Sequence, residues 1–153
     1  MSTPTQRLAE LGLTLPPVAK PLAAYTPAIT VGNQVWVSGQ LPLRDGKLVA
    51  TGRLGDAVAP AEGAEAAKVA ALNALAAVAD QAGGLDNVAR ILKAVVFVAS
   101  TTDFTAQPQV ANGASELLGE VFGTPHVRSA VGVAVLPIDA PVEVGLVAEL
   151  AAR

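Results

Sequence analysis

The sequence predicts a single α+β domain: one mixed β-sheet with two helices packed on one face. Three observations lead there. Runs rich in β-branched residues and bounded by Pro or Gly, such as QVWVSGQLP and VEVGLVAEL, read as strands. Two longer stretches place Ala, Val and Leu at helical spacing. Their order along the chain is β-β-(β)-α-β-α-β-β, with no repeat, low-complexity tract or linker, so one sheet covered on one side is the economical arrangement. The uncovered face of such a sheet is apolar, and an apolar open face implies association with further copies.

The elements follow in order. Thr5 to Leu11 reads as a short helix, with Thr5 as N-cap and Gly12 after its last turn. Pro16, Pro17 and Pro21 then demand an extended connector, so residues 1–24 form an N-terminal helix and a linker to the sheet. Tyr25, the only Tyr, follows; it is either a half-buried packing residue or part of a pocket. Ile29–Val31 and Gln34–Ser38 form a hairpin around Gly32-Asn33, a two-residue turn of type I′ or II′. The second strand ends in Ser38-Gly39-Gln40, where the Gly marks a plain terminus, a bulge or a close backbone approach. Asp45-Gly46 is a tight turn into a short return strand at Lys47–Ala50.

Pro60 to Ala82 is the clearest helix, with Val69, Leu72, Leu75, Ala76 and Ala79 in its stripe, Pro60 in the first turn and Gly83-Gly84 at the end. Val88 to Ala99 is a central strand. A second helix runs from Pro108 to Phe122 and carries Asn112. Two strands close the chain, Val127–Leu136 and Val142–Leu150, joined by a Pro-containing turn. On a period of two, Arg128 shares a face with Ala130, Gly132 and Ala134, while Val127, Val131, Val133 and Val135 line the other, expected core, face. Glu143 shares a face with Gly145, Val147 and Glu149, opposite the apolar residues of its strand. Two readings of Arg128 and Glu143 stand. They are solvated charges, or an ion pair contributing at most about 1 kcal/mol. Alternatively they line a cleft in which Arg128 clamps a carboxylate and Glu143 handles a proton or water.

Composition narrows the function. The chain has 153 residues, 52% hydrophobic, 15% charged and 3% aromatic, so its core is built from Ala, Val and Leu. The net charge of −3 offers no footprint for nucleic acid or an anionic membrane. There is no Cys, which removes disulfides, thiolate metal sites and a Cys nucleophile, and fits a reducing compartment. One His, His126, cannot build a multi-His metal site and reads as a surface residue; no metal is expected. No phosphate-binding loop appears, so no nucleotide cofactor is expected. The N-terminus lacks the apolar segment of a signal peptide, no apolar run is long enough to span a membrane, and a cytoplasmic location is expected.

The residues resemble the YjgF or RidA (reactive intermediate deaminase A) family, including proteins called endoribonuclease L-PSP-like. Tyr25, the segment Gly32-Asn33-Gln34-Val35-Trp36-Val37-Ser38-Gly39-Gln40, Asp103-Phe104, Arg128-Ser129-Ala130-Val131 and Leu136 to Val144 carry the resemblance, which covers nearly the whole chain. It implies a chorismate-mutase-like fold assembled as a homotrimer, with a central barrel and clefts between subunits. It also implies hydrolysis of enamine or imine intermediates of the 2-aminoacrylate kind to 2-oxo acids and ammonia, without a cofactor. Carried over, Arg128 binds the substrate carboxylate and Glu143 orients water and relays protons. Tyr25, Ser38, Gly39, Asn112 and Ala130 line the pocket. Ala130 stands where the family often has Cys, Gly145 stands where it often has a second Glu, and the segment between Phe104 and Arg128 is longer. A carboxylate-binding or regulatory trimer without turnover is the alternative. An RNA-directed activity fits the acidic charge poorly.

Overall fold

The computed structural model describes residues 2–20 and 23–152. Helix α1 spans Pro4–Glu10; strands β1 (Ala28–Val31) and β2 (Gln34–Gln40) follow, then the small hairpin β3 (Leu43–Arg44) and β4 (Lys47–Leu48). Helix α2 (Pro60–Ala82), strand β5 (Val88–Ala99), helix α3 (Gln107–Phe122) and strands β6 (Val127–Val133) and β7 (Val142–Leu150) complete the chain. Five strands form one mixed sheet in the order β1-β2-β7-β5-β6; β5 and β6 run parallel and the other pairs antiparallel. β3 and β4 form a separate two-stranded ribbon.

The helices start and stop where their sequences say. Gly83 and Gly123 end α2 and α3 in the left-handed conformation, at φ 76° and 68°. The short N-terminal helix joins the two long ones as expected, but α1 is capped by Thr3 rather than Thr5. The Thr3 hydroxyl accepts from the Gln6 N–H, the Gln6 side chain returns a bond to the Thr3 N–H, and Pro4 fits the first turn. Thr5 instead donates its N–H to Asp86, tying α1 to the start of β5. The Pro21 part of the connector lies outside the described residues. In the β1–β2 hairpin, Gly32 takes a positive φ of 60° and Asn33 does not, which favours the type II′ reading of that turn.

The core lies between the sheet and α2 and α3. Val35, Val37, Ala94, Val96, Val98, Val142, Val144, Leu146 and Ala148 face the helices and are buried. α2 buries more than one stripe because α3 packs against its side. At the crossing, Gly113 approaches so closely that a Cβ would overlap the Ala64 carbonyl. Asn73, buried on α2, donates to the Leu41 and Leu43 carbonyls at 3.0 and 2.9 Å and fixes the chain leaving β2.

Strand β6 corrects the expected assignment of faces. Val127, Val131 and Val135 do not enter the core; they are 67%, 47% and 65% exposed. The parallel register pairs Arg128 with Ala94 and Ala130 with Val96, whose side chains face the helices. Arg128, Ala130 and Gly132 therefore point to the helix side. They sit beside small side chains because α3 packs there: a Cβ on Gly132 would meet Ser100 Oγ and Gln107 Nε2. β6 also stops at Val133, short of Leu136. A 3-10 turn at Pro137–Asp139 follows, with Ile138 and Asp139 at positive φ.

The opposite face of the sheet is open. Ile29, Trp36, Val147, Lys93 and Val127 form one row across all five strands, and Ile29 and Trp36 are each 50% exposed.

The helix crossing generates a paired prediction. Gly113→Ala forces α2 and α3 apart and costs about 1–3 kcal/mol. Gly119→Ala, on α3 where a Cβ meets nothing within 4 Å, stabilises by about 0.5–1 kcal/mol. Urea denaturation checks both through a shifted midpoint at unchanged slope.

Candidate functional site

Arg128 sits on edge strand β6, and the α3 helix fixes its end. Asn112 and Ser115 lie three residues apart on α3 and so share a face. The Arg128 Nη1 donates to Asn112 Oδ1 at 2.7 Å and to Ser115 Oγ at 3.1 Å, and Nη2 donates to the Pro108 carbonyl at 3.2 Å. Behind them, His126 Nε2 lies 2.9 Å from Ser115 Oγ. Burial, and then the neighbouring Arg128 charge, hold the imidazole below its usual pKa. The sequence paired Arg128 with Asn112 only through the resemblance. It missed Ser115, the Pro108 carbonyl and the inward-turned His126. Spacing of three from Asn112 was the available signal for Ser115.

Glu143 belongs to the open face of the sheet. It pairs across strands with Phe97, and Phe97 in turn with Val131. The side chain is half-buried, and this burial raises its carboxyl pKa above the ordinary Glu value. It lies over Gly39, where a Cβ would land on the Glu143 carboxylate. The β2–β7 register explains the approach: Val37 pairs with Leu146 and Gln40 with Val144, so β2 carries one extra residue at Ser38-Gly39. This is a β-bulge, and it brings backbone against the acid. Ser38 turns its hydroxyl and its N–H to the Pro27 carbonyl, at 3.1 and 2.9 Å. Tyr25, half-exposed, lines a small cavity of about 30 Å³ with Pro27, Gly39 and Gln40.

The expected site residues thus form two groups within one protomer. Arg128 and Asn112 are joined on the helix side of the sheet, with Ala130 packed beside them against the core. Glu143, Ser38, Gly39 and Tyr25 gather near the β2 bulge. Arg128 shares a row with Ala94 and Leu146, and Glu143 shares one with Phe97 and Val131. The rows are three residues apart, about 10 Å along the strands. The two charged side chains leave the sheet from opposite faces. Among the described residues no cluster of His, Asp and Glu could hold a metal ion, and no helix is long and apolar enough to cross a membrane.

Residues 5–150 match the family model "YjgF/chorismate_mutase-like, putative endoribonuclease". The chain belongs to this YjgF family, and its fold is the family's. Protein TCP17 of Trypanosoma cruzi is 44% identical over 146 residues, covering 94% of this chain and 91% of the relative. A 2-iminobutanoate/2-iminopropanoate deaminase of Dermatophagoides farinae is 30% identical over 135 residues, covering 86% and 90%. The crystal structure of "a putative endoribonuclease" from Shewanella oneidensis superposes with a TM-score of 0.94 at 36% identity, over 97% of this chain and all of that one.

The environment of Glu143 sets a measurable sign. Its pKa is raised in the folded state, so the cost of ionising it grows as pH rises through the ordinary Glu value and is complete above the raised one. Glu143→Gln therefore leaves stability unchanged at pH below the ordinary Glu range and increases it at neutral pH. Denaturation at both pH values checks this, and equal stabilities at neutral pH contradict it.

Proposed function

We propose that the protein hydrolyses 2-imino acids and their enamine tautomers, of the 2-aminoacrylate kind, to 2-oxo acids and ammonia. The sites are clefts between subunits of a homotrimer. The observation that carries this reading is the division of the site: one protomer presents a braced guanidinium on one sheet face and a half-buried carboxylate on the other. Each is half of a site for an anionic imine, and a neighbouring copy can supply the missing half. The exposed row of Ile29, Trp36 and Val127 gives the open face an apolar surface to cover in such an assembly. Kinship with a deaminase at 30% identity favours the chemistry. A cytoplasmic setting, where dehydratases release such intermediates, completes the reading.

The chemistry asks little of the protein. The enamine first takes a proton from solvent on carbon to become the protonated imine. Arg128 holds the carboxylate through two parallel N–H donors, fixing the imine carbon in place. Glu143, ionised, takes a proton from a water as its oxygen attacks that carbon, giving a tetrahedral carbinolamine. The same carboxyl then returns the proton to nitrogen. The C–N bond breaks, ammonia leaves, and the hydroxyl proton passes to solvent, offsetting the proton taken up at the first step and leaving the carbonyl of the 2-oxo acid. A raised pKa suits Glu143 to both transfers near neutral pH.

Supplying 2-aminoacrylate from a serine dehydratase and following pyruvate tests this directly. Wild-type protein accelerates release; Arg128→Ala and Glu143→Gln each lower kcat/KM by about 100-fold or more. Acceleration that survives in Arg128→Ala overturns the reading, and no acceleration by the wild type leaves a carboxylate-binding trimer in its place. The acid limb of the wild-type pH profile lies above the ordinary Glu range, because activity falls as pH drops through the raised Glu143 pKa.

A further inference from the structure

We propose that Ser115 and His126 are positioning residues that lock Arg128 in place and dictate which edge of its guanidinium grips an anion. The inference rests on the reading of Arg128 as the carboxylate anchor.

Donor counting carries it. A guanidinium has five N–H donors. Nη1 spends both of its hydrogens, on Asn112 Oδ1 and Ser115 Oγ, and Nη2 spends one on the Pro108 carbonyl. Among the described residues, Nε–H and the second Nη2 hydrogen have no acceptor. The end formed by Nη1 is therefore committed to α3, and the side formed by Nε and Nη2 is left for a carboxylate. In the inferred arrangement the Pro108 carbonyl takes the Nη2 hydrogen on the Nη1 side, which leaves Nε–H and the other Nη2–H as two parallel donors, the geometry a carboxylate needs.

Ser115 makes this arrangement stable. Its oxygen accepts from Arg128 and lies 2.9 Å from His126 Nε2, and in the inferred arrangement the Ser115 hydroxyl donates to that nitrogen. The chain Arg128 N–H to Ser115 O–H to His126 N runs in one direction, each bond polarising the next. It requires the neutral imidazole with its hydrogen on Nδ1. Burial and the Arg128 charge both favour the neutral ring. A protonated His126 would place a second cation behind the anchor and turn the Ser115 hydrogen away. Asn112 is exposed, whereas Ser115 and His126 are half-buried, so the buried part of the brace is the Ser–His pair.

Binding of pyruvate as a 2-oxo acid probe, followed by titration calorimetry on the full chain, tests the inference. Arg128→Ala abolishes binding. Ser115→Ala weakens it about tenfold, the effect of loosening one hydrogen bond of a charged group. Ser115→Thr, which keeps the hydroxyl, stays within about twofold, and nitrogen NMR of the wild type shows His126 neutral at pH 7 with its hydrogen on Nδ1. If Arg128→Ala abolishes binding but Ser115→Ala binds like the wild type, the positioning role is overturned and the anchor stands. If Arg128→Ala binds pyruvate normally, both fall. A hydrogen on Nε2 overturns the role of His126 even if Ser115→Ala weakens binding.

Discussion

A side chain on a strand can leave in only two directions, and the pairing of β6 with β5 chooses between them. Ala94 faces the helices, so the residue paired with it does too. That residue is Arg128. A slip of one residue would send the guanidinium to the open face, opposite Lys93 or Val95, and turn Val127 inward. The register leaves room for α3 at Gly132, where a side chain would collide with Ser100 and Gln107. Asn112, Ser115 and the Pro108 carbonyl then have something to hold. The same alternation on β7 sends Glu143 the other way, since Val142, Val144, Leu146 and Ala148 fill the core.

Much of the fold was legible in the sequence. α2 begins and ends at Pro60 and Ala82 as its Pro and Gly residues indicate, and β5 and β7 have the expected bounds. The bulge at Ser38-Gly39 was signalled by a Gly near a strand end. The faces of β6 were not legible. Periodicity divides a strand into two faces but does not say which one the helices cover. A valine face looks like core whether α3 or a second protein molecule lies against it. The cap of α1 was misplaced for another reason: both Thr3 and Thr5 precede the helix pattern, and Gln6 selects Thr3 by completing a reciprocal pair.

The sequence could name candidate residues for the site but not their arrangement. Arg128 and Glu143 stood out by their place on the strands, and Tyr25, Ser38 and Gly39 through the family resemblance. Nothing in the order along the chain reveals that an arginine on β6 and a glutamate on β7, with β5 between them, occupy opposite faces. Ser115 and His126 escaped because their role depends on α3 crossing the end of β6, a long-range contact. The resulting picture joins energetics to function. The face that looks wrong for a core, with Val127 and Trp36 in the open, is the face on which Glu143 waits half-buried.

The central claim is that a working site takes Arg128 from one chain and Glu143 from another. Mixing two inactive variants tests it most directly. Arg128→Ala and Glu143→Gln chains, each inactive alone, are unfolded together, refolded as mixed assemblies and assayed for 2-aminoacrylate hydrolysis. The account predicts recovered activity, since a mixed interface can join an intact Arg128 to an intact Glu143. Mixed assemblies as inactive as either parent, while co-refolded wild type is active, would contradict it.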